Sequence, residues 1–150
     1  MTNKTPLVEL RNMSIAFGGV RAVDDVSVDL YAGEVVGLLG HNGAGKSTGM
    51  KALFGMLNMN KGAVRLDGED ITHLSPQDRV VKGMGFVPQT SNIFTTMTVE
   101  ENLEIGAFIR RDDIKDTMAQ IYDLFPILKD KRYQAAGELS GGQRQQVAVG

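Results

Sequence analysis

The sequence predicts an α/β fold with three parts: an antiparallel β subdomain, a core strand that leads into a glycine-rich loop and a helix, and a helical subdomain. Polar and apolar residues alternate over residues 7–17 and 26–30, and an apolar run over 35–39 leads directly into the glycine-rich segment 40–48. Apolar residues then recur at helical spacing in the last third of the chain. We place a domain boundary near residue 95, which divides the chain into residues 1–95 and 96–150.

Composition limits the possible function classes. The 150 residues carry a formal net charge of −2, which argues against a nucleic-acid binder, and no cysteine, which excludes disulfides and cysteine-ligated metals. The amino terminus has no signal-peptide core, and no apolar run approaches the ~18 residues of a membrane span. We therefore expect any link to a membrane to run through a partner.

Several strands are predicted in the first half of the chain. Residues 7–17 and 26–30 alternate and are joined across the turn Gly18-Gly19, which favours an antiparallel pair. The run 35–39 does not alternate, which is typical of a strand buried on both faces of a parallel sheet.

Short strands and helices are predicted to follow. Apolar spacing predicts a helix over 50–57, and Val64 with Leu66 predicts a strand. Ser75-Pro76 begins a short helix that Gly83 ends, and residues 84–87 are typical of another short buried strand.

The last third of the chain is predicted to be helical. Thr98 and Glu101 have the spacing of a capping box, in which the side chain of each residue bonds the backbone amide of the other. Residues 114–125 carry a strong apolar stripe that ends at Pro126.

The segment GHNGAGKST, residues 40–48, matches the phosphate-loop pattern through Gly40, Gly45, Lys46 and Ser47. Glycines leave backbone amides open to phosphate oxygens, and the start of the following helix adds partial positive charge. We expect Lys46 to reach the outer phosphates and the Ser47 hydroxyl to bind Mg2+.

Two other interpretations of this loop are weaker. A glycine-rich turn matches the pattern by chance only rarely, and a dinucleotide fingerprint lacks its third glycine, because Lys46, Ser47 and Thr48 follow Gly43 and Gly45. We interpret His41 as a solvent-facing spacer.

The segment Leu139-Ser140-Gly141-Gly142-Gln143 is the second candidate site. Ser140 and Gln143 have capping-box spacing, which predicts a helix start. Glycine in a helix costs about 1 kcal/mol relative to alanine, so two glycines in the first turn favour a second phosphate-binding helix end over a purely supporting one.

These motifs together resemble a known family. The phosphate loop, "FVPQ" at 86–89 and "LSGGQ" at 139–143, in this order and spacing, are similar to those of nucleotide-binding subunits of ATP-binding-cassette (ABC) transporters. The stretches 97–108 and 121–150 resemble the branched-chain amino acid importers within that family. The resemblance implies a P-loop NTPase fold of the ABC ATPase type, incomplete at its carboxyl end.

The resemblance also implies roles for individual residues. Phe17 is expected to stack on adenine, although a core-packed strand residue remains an alternative, and Gln89 is expected to sense Mg2+ and the attacking water. Lys46 and Gln89 are then the catalytic residues present, and Ser47 and Gln89 the metal ligands. The implied nucleotide-binding residues are Phe17, Gly40, Asn42, Gly43, Ala44, Gly45, Lys46, Ser47, Thr48, Ser140, Gly141, Gly142 and Gln143.

The implied function is an ATPase that uses ATP and Mg2+ to drive import, on the cytoplasmic face of the membrane. The implied partners are transmembrane permease subunits, which the apolar residues Ile93, Phe94 and Met97 would approach, and a second nucleotide-binding subunit in a head-to-tail dimer. Two alternatives stay open: a nucleotide-binding module without hydrolysis, and a soluble ABC ATPase that acts on ribosomes or DNA.

The sequence also departs from the family pattern. Gly49 lies where a helix-forming residue is more usual, and no residue matches the family's catalytic glutamate or switch histidine. We therefore expect an amino-terminal fragment that retains some nucleotide affinity and hydrolyses ATP negligibly. We also expect it to be oligomeric or domain-swapped, or else poorly folded.

Overall fold

A computed structural model describes residues 5–90 and 92–150. The chain divides into two compact units, Met1–Gly85 and Phe86–Gly150. This division comes somewhat earlier than the boundary near residue 95. Within the described ranges, no helix is long and apolar enough to cross a membrane.

The first unit contains a four-stranded antiparallel sheet. Its strands are β1 (Val8–Phe17), β2 (Val20–Leu30), β3 (Lys61–Leu66) and β4 (Glu69–Asp70), in the spatial order β2-β1-β3-β4. The predicted hairpin of β1 and β2 and the predicted strand β3 are confirmed. Strand β4 was not predicted, because two acidic residues after a turn show no apolar alternation.

Two helices accompany this sheet. Helix α1 (Lys46–Leu53) follows the glycine-rich loop, and helix α2 (Pro76–Val81) begins after Ser75, whose hydroxyl oxygen accepts from the amide of Asp78 at 3.2 Å. Both helices were predicted, but α1 begins and ends four residues earlier than the predicted range 50–57. The sheet, α1 and the turn after β4 share a buried core made of Leu10, Met13, Ile15, Val23, Ala52, Val64 and Ile71.

Two predicted strands are wrong. Residues 35–39 and 84–87 have no regular secondary structure, and the side chains of Val35 and Leu39 are 99% and 96% exposed. A strand needs a neighbour that exchanges backbone hydrogen bonds with it, and no strand of the described ranges pairs with either segment. An apolar run alone therefore does not form a buried strand, because it does not supply that neighbour.

The second unit is helical, as predicted. Its helices are α3 (Val99–Gly106), α4 (Lys115–Leu124), α5 (Pro126–Asp130) and α6 (Gly141–Val149), with a 3-10 turn at Ala136–Glu138. Thr98 forms the predicted capping box with Glu101, and Pro126, predicted to end a helix, also begins α5. The core of this unit consists of Val99, Leu103, Leu128, Ala136, Leu139 and Val147.

Candidate functional site

The glycine-rich loop bends sharply immediately before α1. Gly43 and Gly45 have φ angles of 87° and 80°, in the left-handed region that favours glycine. Gly45 is the N-cap of α1 and supplies no side-chain hydrogen bond to it. The first-turn amides of α1, which have no acceptor within the helix, are therefore left for another acceptor.

Gly45 also packs the loop against strand β2. A Cβ atom at Gly45 would lie 2.3 Å from the carbonyl oxygen of Ala22 and 3.0 Å from Cγ2 of Val23. Only glycine allows the two backbones to approach this closely. Strand β2 therefore acts as the platform that fixes where α1 begins.

Lys46 curls back onto the loop that precedes it. Its Nζ donates hydrogen bonds to the carbonyl oxygens of Gly40, at 2.6 Å, and His41, at 2.7 Å. The amide of Ala44 donates to the His41 carbonyl at 3.1 Å and closes the turn between them. A positive charge and open backbone amides thus converge on one short segment, which is the arrangement that binds phosphate.

Phe17 lies at the end of β1, opposite Val20 in the hairpin. Its side chain is 53% exposed, which contradicts the alternative that it is a core-packed strand residue. The same hairpin carries Ala22, on which the loop rests. The exposed aromatic face of Phe17 is open to stack on another ring.

Gln89 belongs to the second unit and lies in an exposed bend. The neighbouring Asn92 was not predicted as a functional residue, yet its Nδ2 donates to the Pro88 carbonyl at 3.2 Å and to Oε1 of Gln145 at 3.0 Å. Asn92 therefore ties the Gln89 loop to helix α6. No local pattern in the sequence indicates this contact, since Asn92 and Gln145 are distant along the chain.

The helix start at Ser140 has the predicted capping box. The amide of Gln143 donates to Oγ of Ser140 at 3.3 Å, and the amide of Ser140 donates to Oε1 of Gln143 at 3.2 Å. Nζ of Lys131 also donates to this Oε1, at 3.4 Å. The capping box stabilises this end of α6, and Lys131 places a positive charge beside it.

The two glycines of this helix start are not required by packing. A Cβ atom at Gly141 or Gly142 would meet no atom within 4 Å, whereas at Gly137 it would lie 2.8 Å from the carbonyl oxygen of Thr95. Gly137 is thus explained by the fold, and Gly141 and Gly142 are not. Their surface is open to a ligand or a partner.

The apolar residues predicted to approach a permease have different environments. Ile93 packs against the core of the second unit, while Phe94 is 56% exposed. Asn102 holds the backbone of Phe94 from both sides, accepting from its amide at 2.7 Å and donating to its carbonyl at 3.0 Å. Phe94 is therefore an exposed aromatic side chain on a fixed backbone.

Comparison with known families decides the identity. Residues 23–150 match the family model described as "ABC transporter", and this range includes both glycine-rich motifs. The chain belongs to the ABC transporter family. The family predicted from the motifs is therefore confirmed.

Relatives within the ABC transporter family agree with this assignment. The chain is 38% identical over 145 residues to the high-affinity branched-chain amino acid transport ATP-binding protein BraG of Pseudomonas aeruginosa, covering 96% of this chain and 62% of BraG. It is 40% identical over 126 residues to the probable branched-chain amino acid transport ATP-binding protein LivF of Archaeoglobus fulgidus, covering 83% of this chain and 53% of LivF. The chain thus spans between about half and two thirds of the length of these relatives.

Solved structures confirm the ABC ATPase fold. An ATP-binding cassette of an ABC transporter, solved in its ADP conformation, is similar with a TM-score of 0.81 and 29% identity, covering 97% of this chain and 63% of the cassette. A nucleotide-free ATP-binding cassette gives the same values. The predicted fold class, a P-loop NTPase of the ABC type, is therefore correct.

Proposed function

We propose that this chain binds ATP as part of the ATP-hydrolysing subunit of an ABC importer, and that the nucleotide phosphates lie at the N-terminal end of α1. The observation that carries the proposal is Lys46, whose ammonium lies against the carbonyls of Gly40 and His41 in a loop seated on β2. A solved ABC cassette of this fold is described in an ADP conformation, which supports a nucleotide as the ligand.

The loop is arranged to exchange its internal partners for phosphate. On binding, Lys46 turns from the neutral carbonyls of Gly40 and His41 to charged phosphate oxygens, which form stronger hydrogen bonds. The amides of the first turn of α1 donate to the same phosphates, and the helix dipole favours their negative charge. Gly45 keeps these amides in place through its contact with β2.

The donor set fits Mg2+ as a companion of the phosphates. Ser47 lies in the first turn of α1 and offers a hydroxyl oxygen, and Gln89 offers an amide oxygen, both of the hard type that Mg2+ prefers. When bound, Mg2+ neutralises charge on the phosphate oxygens. In this proposal Ser47 orients the ion and Phe17 stacks on the adenine ring, while the family resemblance implies Gln89 as a further ligand.

The Ser140 helix start is proposed as a second binding surface, for the nucleotide held by another subunit in a head-to-tail dimer. Its support is the capping box of Ser140 and Gln143 and the open surface over Gly141 and Gly142. Backbone amides at an uncovered helix start can donate hydrogen bonds to an anion without displacing any side chain.

Isothermal calorimetry with ATP and ADP, with and without Mg2+, tests the nucleotide site. We expect saturable binding to the chain and a large loss of affinity in Lys46→Met. Lys51→Met is the matched control, since Lys51 lies on α1 in its last turn and should leave the affinity unchanged. Equal affinities for the two variants, or no binding to folded wild-type chain, would refute the proposal.

We propose branched-chain amino acids as the transported substrate, because BraG and LivF carry this description. Other relatives point elsewhere: the lipopolysaccharide export protein LptB of Escherichia coli is 36% identical over 146 residues, covering 93% of this chain and 59% of LptB. The test is transport by the complete subunit with its permease subunits in vesicles. Uptake of leucine, isoleucine or valine supports the proposal, and ATP-dependent uptake of another solute alone contradicts it.

We further propose that these 150 residues bind ATP without rapid hydrolysis, because no residue matches the family's catalytic glutamate. Positioning of phosphate survives the loss of a water-orienting carboxylate, but turnover does not. The complete subunit is proposed to lie on the cytoplasmic face of the membrane through its permease partners. Phosphate release by the purified chain at the rate of ordinary transport ATPases would contradict slow hydrolysis.

A further inference from the structure

Arg79, on helix α2, is a buried cation in the first unit. Its side chain is 1% exposed. The guanidinium donates to three backbone carbonyls: Nη1 to Leu53 at 2.5 Å, Nη2 to Thr72 at 2.9 Å and Nε to Leu74 at 3.2 Å. Within the part of the chain that the structure describes, Arg79 forms no ion pair, so carbonyl oxygens are its stabilising partners.

The backbone hydrogen bonds at the end of α1 do not use the carbonyl of Leu53. Helix α1 ends in a Schellman motif, in which the amide of Gly55 donates to Ala52 at 2.9 Å and the amide of Met56 donates to Lys51 at 2.8 Å. These bonds satisfy the carbonyls of Lys51 and Ala52. The last residue of the helix, Leu53, bonds to Arg79 instead.

Arg79 suits this position electrostatically. The carboxyl end of a helix carries partial negative charge, and a buried cation there is favourable. Burial lowers the pKa of Arg79, but an arginine side chain remains protonated in proteins. The charge is therefore permanent and does not depend on pH.

Gly55 makes room for the guanidinium. Its φ is 82°, and a Cβ atom there would lie 2.8 Å from Nε of Arg79 and 3.0 Å from the carbonyl oxygen of Leu74. A side chain at position 55 would push Arg79 away from its three acceptors. Gly55 and Arg79 thus form one packed contact at the carboxyl end of α1.

We propose that Arg79 is a positioning residue for the phosphate loop: it clamps the carboxyl end of α1 to the segment 72–74 and so holds the amino end, with Lys46, in its place on β2. Helix α1 has only eight residues, about 12 Å, so a displacement at one end moves the other. The clamp and the Gly45 contact hold opposite ends of the same helix. This inference rests on the proposed nucleotide site.

Hydrogen exchange tests the clamp without any nucleotide. In Arg79→Lys, one ammonium replaces a fork that reaches three carbonyls, so we expect the amides of α1 from Met50 to Phe54 to exchange roughly 2- to 30-fold faster. The amides of β1 and β3 should change less than those of α1. An unchanged rate in α1, or an equal increase at all protected amides, would overturn the proposal.

Nucleotide affinity provides the second readout. We expect the Kd for ADP to rise roughly 2- to 30-fold in Arg79→Lys and in Gly55→Ala. Gly68→Ala is the matched control, because Gly68 has a φ of 79° and a Cβ atom there would meet nothing within 4 Å. If Arg79→Lys does not fold, Gly55→Ala serves for both measurements.

The outcomes separate the two proposals. A wild-type Kd in folded Arg79→Lys or Gly55→Ala would overturn the positioning role while leaving the nucleotide site intact. Equal effects of Gly55→Ala and Gly68→Ala would also overturn it, since backbone strain alone would then explain the loss. If wild-type chain does not bind ADP, the proposed function fails, and hydrogen exchange still decides whether Arg79 holds α1.

Discussion

Substituting Gly45 by alanine tests whether the phosphate loop is seated on strand β2. Gly43 supplies the control, because both glycines have left-handed φ angles, 87° and 80°, but only Gly45 lies against other atoms. Alanine in the left-handed region costs about 1–2 kcal/mol at either position. At Gly45, a Cβ atom 2.3 Å from the Ala22 carbonyl adds an overpacking cost of about 1–3 kcal/mol.

We therefore expect Gly43→Ala to lower the free energy of unfolding by about 1–2 kcal/mol, and Gly45→Ala by about 2–5 kcal/mol. Urea unfolding followed by circular dichroism measures both. The same samples should show a greater loss of ADP affinity for Gly45→Ala, because the loop must move away from β2. Equal losses of stability for the two variants would refute the claim that β2 supports the loop.

Four further predictions follow from the structure. Gly142→Ala should raise the stability of the chain by up to about 1 kcal/mol in urea unfolding, because its Cβ atom meets nothing; a loss of stability would show an unseen packing role. The backbone amide and the hydroxyl of Thr98 lower the pKa of Glu101, so its stabilisation is present above the ordinary glutamate pKa and is lost as the pH falls through the lowered value. Glu101→Gln should therefore flatten the decrease in stability as the pH falls below the ordinary glutamate pKa of about 4.3, and an unchanged pH profile would contradict this. The Arg110 guanidinium lowers the pKa of Asp112 to about 2, and NMR titration of Arg110→Gln should show it rising toward about 3.9. Because Val35 and Leu39 are exposed, the chain should sediment as a dimer or larger species, and Leu39→Glu should shift it toward monomer; a wild-type monomer at all concentrations would contradict self-association.

Local chemistry explains most of what the sequence predicts correctly. The capping boxes at Thr98 and Ser140 and the turn at Gly18-Gly19 each depend on residues close together along the chain. The same holds for the phosphate loop, whose glycines and lysine lie within nine consecutive residues. Such features can be read directly from the sequence.

Features that depend on distant residues could not be predicted. The run 35–39 has the composition of a buried strand, but pairing decides whether it becomes one. Arg79 lies in the segment PQDRVV, where a charged residue would be assigned to the surface, and its burial depends on carbonyls of three other residues. Asn92 likewise gains its partner, Gln145, only in the folded unit.

The capping bond uses the oxygen of the Ser140 hydroxyl but not its hydrogen. Its oxygen accepts the bond from the Gln143 amide, while its own hydrogen remains able to donate to an incoming anion. The amide nitrogen of the Gln143 side chain is also a donor, since only its oxygen takes part in the cap. An arriving phosphate therefore does not have to unwind the helix tip before it can bind. Removing the hydroxyl would weaken both the helix cap and the binding of the ligand. Threonine at this position would retain the cap and the hydrogen-bond donor.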